Sequence, residues 1–287
     1  MKPHFRSVAL LSVLLPLVSR SAEPVPVAYA PPADPTPLGT TFVDWDSLTP
    51  RATPIGLYRA VFDAPTPTLE KFEVHVTTLN PGRISHPPHH HPWEEMLLII
   101  DGNVEVSING QKHPAGPGSL IFFASNDVHN LANVGDRPAT YYVINFYTDL
   151  VHTVAKQAAA TQAVPGKLPS SVIDCDRLPA SPTKTGFRRK VVDSSTLTFV
   201  RLENHITTLN AGEGTLPDIK DAGDEFFIVR SGVIEAKANG VTCRLKAGSC
   251  FYFAPNEGRA FKNIGAGPAS YQVFKVVSDK SPPEPPA

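Results

Sequence analysis

The chain contains the segment His75-Val76-Thr77-Thr78-Leu79-Asn80, and nearly the same segment returns as His205-Ile206-Thr207-Thr208-Leu209-Asn210. Both belong to a longer internal repeat. Residues 44–143 align with residues 174–273 without a gap, and 34 of the 100 paired positions are identical. Because a repeat of this length is the size of a small domain, the sequence predicts two domains with one fold.

Short β-strands separated by turns account for most of the repeat. Residues 71–76 and 104–108 alternate between apolar and polar side chains, and residues 141–146 are rich in aromatic and β-branched side chains. Asn109-Gly110 and Asn239-Gly240 are typical of hairpin turns, whose two central residues need positive φ. The pattern predicts an all-β fold for each copy, an antiparallel sandwich or barrel.

The first 22 residues resemble a secretory signal. Lys2 and Arg6 precede an apolar run at residues 8–18, and the small residues Ser21 and Ala22 follow. The run is too short to span a bilayer comfortably, so we expect no stable membrane anchor. The mature protein is expected to be exported, to a periplasm or to the medium.

The remaining boundaries follow from the repeat and from composition. Many of the 30 prolines lie at residues 24–37 and 282–286, which indicates extended, disordered spacers. The alanine-rich residues 150–163 predict a short helix between the copies. The expected organisation is a signal at 1–22, a Pro-rich segment at 23–43, domain 1 at 44–149, a linker at 150–173, domain 2 at 174–278 and a Pro-rich tail at 279–287.

Charge and cysteine content limit the possible partners and the possible disulfides. A formal net charge of −1 and the absence of Lys/Arg runs argue against a nucleic-acid partner. The three cysteines are Cys175, Cys243 and Cys250, an odd number that leaves at least one thiol free. Cys243 and Cys250 flank a turn, so they can form a disulfide or serve as small apolar strand residues.

Four potential metal ligands are present in the first copy. On a strand, side chains alternate between faces, so His89 and His91 point to one side and His90 to the other. Glu95 begins a strand whose Leu97 faces the core, which places Glu95 inside. With His129, which opens a later strand, three imidazoles and one carboxylate can hold a six-coordinate metal and leave two positions open.

These residues resemble the two motifs of the cupin family. The spacing His89-x-His91-x3-Glu95-x6-Gly102 is similar to the first motif, and Gly118 through His129-x3-Asn133 is similar to the second. The departures are Arg83 at the opening glycine of the first motif, which falls at Gly82 instead, and Ala124 and Asn126 at a proline and a glycine of the second. They affect loops and leave the donors unchanged.

The resemblance covers both copies and implies a bicupin, two jelly-roll-like β-barrels in tandem. It further implies that one divalent metal, Mn, Fe, Zn or Ni, is bound by His89, His91, Glu95 and His129. His86 and His90 fit no ligand position; they are solvated loop residues or contacts to the ligands or substrate. Glu94 should point away from Glu95, and we interpret His75 as structural because His205 repeats it.

The second copy has lost the imidazoles. Ile219, Asp221 and Arg259 stand where His89, His91 and His129 stand in the first copy, while Glu225 repeats Glu95. A buried carboxylate needs a partner, so Arg259 is expected either to pair with Glu225 or Asp221 or to point to solvent. In both cases the second barrel is expected to be metal-free.

Two classes of function remain open. A divalent ion with three neutral imidazoles and one carboxylate keeps a net positive charge, which suits a small anionic organic substrate. Bicupins that this chain resembles include oxalate decarboxylases, flavonol dioxygenases and ureidoglycine aminohydrolases, so an enzyme of decarboxylase, oxygenase or hydrolase type is one hypothesis. The other is a protein that binds a metal or a small ligand without turnover, because no acid, base or nucleophile is evident. Polar side chains near the open positions would favour turnover, and an apolar plug would favour binding.

Overall fold

The computed structural model of the chain describes residues 24–155 and 164–284. The signal expected at residues 1–22 lies outside them. Up to the first copy's end the strands are β1 (Val25–Pro26), β2 (Thr41–Val43), β3 (Arg51–Thr53), β4 (Gly56–Ala64), β5 (Lys71–Leu79), β6 (His89–His90), β7 (Glu94–Asp101), β8 (Val104–Ile108), β9 (Gln111–Ala115), β10 (Ser119–Phe123), β11 (His129–Asn133) and β12 (Ala139–Tyr147). The later strands are β13 (Ser171–Asp174), β14 (Ser181–Thr183), β15 (Gly186–Ser194), β16 (Arg201–Leu209), β17 (Asp224–Ser231), β18 (Val233–Ala238), β19 (Val241–Lys246), β20 (Cys250–Phe253), β21 (Arg259–Asn263) and β22 (Ala269–Val277).

The strands form two barrels, each made of two sheets. In the first barrel a sheet in the order β13-β10-β7-β12-β5-β4-β3 packs on a sheet in the order β1-β6-β11-β8-β9. In the second barrel the orders are β14-β15-β16-β22-β17-β20-β2 and β19-β18-β21. The expected all-β pair of tandem barrels is confirmed.

The strand at the leading edge of each copy adds to the other barrel. β2, which immediately precedes the first copy, pairs with β20 of the second barrel through Thr41 and Tyr252. β13, the equivalent strand at the leading edge of the second copy, pairs with β10 of the first barrel through Ile173 and Leu120. Each of these short strands therefore extends the large sheet of the other barrel.

Strand alternation separates three apolar cores. On β5, Val74 and Val76 face a core between the barrels, where Phe72 packs edge-on against Phe226 of the second barrel at a ring-centroid distance of 5.5 Å. The opposite face of each large sheet lines its own barrel, with Leu97 in the first core and Phe227 in the second. Since one face of β5 is buried between the barrels, its other face supplies side chains to the interior of the first barrel.

Two turns and one helix complete the frame. Asn109 and Gly110 have φ values of 48° and 80°, and Asn239 and Gly240 have 49° and 75°, as the hairpin prediction requires. The helix α1 spans Leu150–Val154, a short helix where one was expected. Residues 156–163 of the predicted stretch lie outside the described residues. Among the helices of residues 24–155 and 164–284, none is long and apolar enough to cross a membrane.

The proline-rich segments differ from the predicted disordered spacers. β1 pairs in parallel with β6, and Tyr29 packs edge-on against Tyr147 with ring centroids 5.6 Å apart. At the other end, Glu284 accepts a hydrogen bond from Lys275 at 3.0 Å. The proline content did not indicate these contacts, because they consist of backbone pairing at a sheet edge and of contacts made by single side chains. All three cysteines, which lie in the described part of the chain, are free thiols.

Candidate metal centre

Three strands bring the predicted ligands to one end of the first barrel. His89 and His129 are directly opposed residues of β6 and β11. Glu95 lies on β7, in the other sheet, and His91 follows β6 in the connection to β7. Backbone pairing therefore places imidazoles from one sheet opposite a carboxylate from the other.

Each of the three imidazoles is oriented by a hydrogen bond from its Nδ1 atom to a backbone carbonyl. His89 Nδ1 lies 3.1 Å from the carbonyl oxygen of His129, His91 Nδ1 2.8 Å from that of Trp93, and His129 Nδ1 2.8 Å from that of Asp127. A carbonyl only accepts, so Nδ1 carries the proton and Nε2 keeps its lone pair. This is the tautomer of a histidine that binds metal through Nε2.

The free nitrogens converge. One ring nitrogen of each of His89, His91 and His129 lies within 4.8 Å of the other two. The Nε2 atoms of His91 and His129 are buried and have no hydrogen-bond partner among the described residues. Glu95 completes the cluster, with its oxygens 3.6 Å from His91 Nε2 and 3.9 Å from His129 Nε2. Buried acceptors that all point at one small volume, beside a carboxylate, fit a divalent cation.

Burial keeps the imidazoles neutral. It lowers the pKa of His91 to about 4 and that of His129 to about 3, although Glu95 partly opposes the second shift. The pKa of His89 is also lowered by burial and by the neighbouring His91. Neutral imidazoles are the form that binds metal, so the site needs no deprotonation near neutral pH.

Aromatic stacking fixes the ring planes. His91 lies flat on Trp93 with an interplanar angle of 3° and ring centroids 4.0 Å apart. His129 stacks on Phe123 at 4.1 Å. Because stacking and the Nδ1 hydrogen bonds restrict the same rings, the donor atoms are positioned before any ligand arrives.

The two remaining histidines of the loop differ. His86 packs edge-on against His89 at a centroid distance of 3.9 Å and lines the cavity beside the cluster. Although the side chain of His86 is exposed, partial desolvation of its ring and the neighbouring His89 lower its pKa below the ordinary value. His90 is half-buried, pairs through its backbone with β1, and does not line this cavity. Of these two histidines, His86 is therefore the one placed to touch a molecule bound at the cluster.

A cavity of about 220 Å³ adjoins the cluster inside the first barrel. Its wall is partly apolar, with Leu97 and Phe123, and partly polar. The polar lining residues besides Glu95 and His129 are His75, Thr77, Ser85, His86, Asn130 and Tyr141. Polar side chains therefore lie beside the donor cluster, in place of an apolar plug.

His75, which the sequence analysis interpreted as structural, lines this cavity. Its Nδ1 lies 2.7 Å from Glu73 Oε1, and Asn145 donates to the other oxygen of Glu73 at 2.8 Å. Burial lowers the pKa of His75, but the hydrogen bond and charge of Glu73 raise it by more, so the pKa lies above its ordinary value. Tyr58 stacks on the ring at 4.9 Å. Its counterpart His205 lines the equivalent cavity of the second barrel, and the alternation of β5 was the sequence signal for this placement.

Glu94 points away from the cluster, as expected, and its partners lie in the second copy. Its carboxylate accepts hydrogen bonds from the hydroxyls of Thr196 and Thr198 and from the N–H of Leu197. The equivalent Asp224 accepts a hydrogen bond from Thr68 of the first copy. Burial raises the pKa of Glu94 despite these hydrogen bonds. Glu94 and Asp224 therefore each accept hydrogen bonds from the other copy, which joins the two barrels, and neither belongs to the metal cluster.

The second barrel repeats the backbone of the site with other side chains. Ile219 and Arg259 form the bridge that His89 and His129 form in the first barrel. Arg259 is 6% exposed, and its Nη2 contacts Glu225, so the expected ion pair is present. Asp221 pairs with Lys275 at 2.6 Å, a partner that the sequence analysis did not identify.

A larger cavity, of about 560 Å³, lies between the barrels and is lined by Trp45, Gly118, Arg230 and Gly248 among others. Among its described lining residues there is no histidine, and Asp176 is its one carboxylate. The convergence of donors, and not cavity size, therefore identifies the candidate site.

Comparison with known proteins agrees with this architecture. The profile of the Cupin domain family matches residues 75–145 and 205–275. No curated protein sequence matches the chain. Oxalate decarboxylase of Bacillus subtilis, solved as a single-residue variant, superposes with a TM-score of 0.62 at 14% identity, covering 85% of this chain and 79% of that one.

Two further solved structures are similar. A putative glyoxylate-induced protein from Pseudomonas aeruginosa gives a TM-score of 0.66 at 15% identity and covers 91% of this chain and 99% of that one. Protein Ylba from E. coli gives 0.63 at 12% identity, with 85% and 93% covered. At these identities the likeness concerns the fold.

Proposed function

Because the chain is a two-domain cupin, we propose that it is a metal-dependent enzyme that acts on a small anionic organic substrate. One divalent metal would be held in the first barrel by His89, His91, Glu95 and His129. The reaction would be of decarboxylase, oxygenase or hydrolase type. The observation that carries the proposal is the pair of buried, unpartnered Nε2 atoms that face Glu95 within the described part of the chain.

Charge and size support a small anion. Three neutral imidazoles and one carboxylate leave a divalent ion with a net charge of about +1, which an anionic oxygen donor can neutralise. The adjoining cavity of about 220 Å³ is smaller than a typical site for a drug-sized ligand. Both features favour a small carboxylate over a flavonoid-sized molecule.

Side chains of the cavity supply the groups that turnover needs. When bound, the metal would act as a Lewis acid toward an oxygen of the substrate. His75 lies on the cavity wall and contacts Glu73, which raises its pKa above the ordinary value against the effect of burial, so His75 would be placed to donate a proton to a bound molecule. His86 packs against His89 and lines the same cavity, where it would be placed to contact a bound molecule.

The polar wall also favours an enzyme over a protein that only binds a metal. A binding protein needs no proton donor beside the open coordination positions, whereas the Glu73–His75 pair lies in the same cavity as Glu95. His75→Gln separates the two functions, because it removes the proton donor and leaves the donor cluster unchanged. We expect this variant to keep its metal and to lose about 10²-fold or more in kcat.

The proposal is tested by following consumption of oxalate, ureidoglycine and a flavonol by NMR with metal-loaded protein. Oxalate comes first because oxalate decarboxylase shares the fold. We expect turnover of one of the two small substrates, its loss in His129→Ala, and no loss in His113→Ala, which changes an exposed histidine. Turnover that survives in His129→Ala, or no turnover of any of the three, contradicts the proposed activity.

We also propose that the protein is exported, on the strength of the charged start, apolar run and small residues of residues 1–22. N-terminal sequencing of protein isolated from the periplasm and the medium tests this. A mature chain that begins near Ala22 or Glu23 is the expected result, and a cytoplasmic chain that begins at Met1 or Lys2 contradicts it.

A further inference from the structure

The interior of the second barrel contains a cavity of about 460 Å³, the structural counterpart of the cavity beside the metal cluster. The two cavities are lined at corresponding positions, among them Glu95/Glu225, His129/Arg259 and Leu131/Phe261. The second cavity is about twice as large and has an arginine where the first has a histidine ligand.

Charges of both signs line this cavity in equal number. The cations are Arg188, Arg259 and Lys275, and the carboxylates are Glu203, Asp221 and Glu225. Two of the three pairs are closed by protein partners: Lys275 lies between Asp221 and Glu284, and Arg188 donates to Glu203 at 2.9 Å. The third pair, Arg259 with Glu225, is the most deeply buried.

The Arg259–Glu225 pair keeps hydrogen-bonding capacity. Arg259 Nη1 donates to the carbonyl of Ile219 at 3.2 Å, and Nη2 contacts one oxygen of Glu225. A guanidinium has five N–H groups and a carboxylate about four acceptor positions, so both side chains can serve a further ligand. The guanidinium also lies over Phe227 and Phe253, 5.8 and 5.7 Å from their ring centroids, which holds it in place.

The rest of the wall is mixed: His205 and four threonines line part of it, and apolar and aromatic side chains line another part. Phe227 and Phe261 replace Leu97 and Leu131 of the first cavity, and Tyr271 packs on Phe261 at a centroid distance of 5.2 Å. An aromatic face beside the buried Arg259–Glu225 pair combines apolar contact with a few directional polar groups, as small-molecule sites do.

We propose that the second barrel binds a small zwitterion, an α-amino acid with an apolar side chain. Its carboxylate would bind Arg259, its ammonium group would bind Glu225, and its side chain would lie against Phe261 and Tyr271. A zwitterion aligns antiparallel to the ion pair and leaves the balanced charge of the cavity unchanged. A simple anion would lie beside the carboxylate of Glu225, and a simple cation beside Arg259, each with like-charge repulsion. The site does not depend on activity in the first barrel.

Calorimetric titration of the metal-loaded protein with L-phenylalanine tests the proposal. We expect a dissociation constant of about 1 mM or tighter. N-acetyl-L-phenylalanine lacks the ammonium charge and L-phenylalaninamide lacks the carboxylate, so each should bind at least about tenfold more weakly. No binding of L-phenylalanine at about 10 mM, or equal binding of either analogue, overturns the zwitterion site.

Variants locate the binding. Arg259→Gln/Glu225→Gln removes both charges together and leaves no buried charge without a partner, so it should fold and should bind L-phenylalanine at least about tenfold more weakly. The exposed Arg244→Gln is the matched control, and His129→Ala tests whether the amino acid binds to a metal in the first barrel. Both should bind as the wild type does. Unchanged binding in the double variant, or loss in His129→Ala, overturns the proposal.

Discussion

The two barrels share a backbone and differ in how they balance one buried carboxylate. Glu95 faces three neutral imidazoles, and the equivalent Glu225 contacts the guanidinium of Arg259. The residue that faces the carboxylate is His129 in the first barrel and Arg259 in the second, and each pairs through its backbone with an equivalent neighbour, His89 or Ile219. The first barrel thus has a neutral imidazole at this position, and the second has a side-chain cation. The two barrels therefore differ in what faces the carboxylate: neutral imidazole donors in the first barrel and a guanidinium in the second.

The largest expected effect comes from removing the guanidinium of Arg259, which tests this difference between the barrels. Arg259→Ala leaves Glu225 buried without its partner, which typically costs about 3–5 kcal/mol of the free energy of unfolding. Arg244→Ala, in the same barrel but exposed, should change it by less than about 0.5 kcal/mol. Urea unfolding of both variants measures the difference. Equal midpoints would mean that the Arg259–Glu225 contact does not stabilise the second barrel.

The next effect concerns the contacts that join the barrels. Thr198→Val removes one hydroxyl that donates to Glu94, and Thr68→Val removes the equivalent donor to Asp224. Each leaves a buried carboxylate under-satisfied, so each should lower the free energy of unfolding by about 1–3 kcal/mol. Because the two contacts are equivalent under the repeat, similar losses are expected from urea unfolding. A loss in only one variant would show that the barrels are joined asymmetrically.

A third prediction concerns pH. Burial raises the pKa of Glu225 above its ordinary value, although the paired guanidinium of Arg259 opposes the shift. The unfolded chain releases this proton near the ordinary value of 4.5, so in the pH range just above that value it binds fewer protons than the folded chain does. The contribution of Glu225 to the free energy of unfolding therefore falls as pH rises through this window. Thermal midpoints measured from pH 5 to 9 should fall less steeply in Glu225→Gln than in the wild type, and parallel curves would contradict the raised pKa.

The smallest expected effect is a null result. Arg259→His restores an imidazole at the position of His129 but leaves Ile219 and Asp221 where the first barrel has His89 and His91. One imidazole and two carboxylates are a poor copy of the first site, so no additional metal should bind. Elemental analysis of the purified variant measures this. An additional metal would mean that the arginine alone keeps the second barrel metal-free.

Regular alternation made most of the fold predictable from the sequence. The strands around residues 71–76 and 104–108 and the two Asn-Gly turns follow from local propensity, and the ungapped repeat implies that the fold occurs twice. The exchange of β2 and β13 was not predictable, because both strands are short and pair with partners far away in sequence. Asn126 stands where the second cupin motif has a glycine, and its φ of 64° is in the left-handed region that a glycine would readily adopt. Asparagine tolerates this conformation better than most residues, so the loop is kept without the glycine.

The donor cluster was predictable because metal ligands need fixed spacing on strands. His89, His91 and His129 converge as the alternation requires, with Glu95 beside them. The supporting contacts were not predictable. The stacking of Trp93 on His91 and the Glu73–His75 pair on the cavity wall depend on how the two sheets pack together. Local sequence patterns do not contain that information.

The metal content of each barrel tests the central comparison most directly. Plasma mass spectrometry on protein purified from its native compartment should find about one divalent metal per chain, because only the first barrel offers imidazoles at the ligand positions. The metal should be lost in His89→Ala/His91→Ala and retained in Arg259→Gln/Glu225→Gln. About two metals per chain, or full metal occupancy in His89→Ala/His91→Ala, would contradict this account, in which only the first barrel binds a metal and the second barrel has an ion pair at the equivalent place.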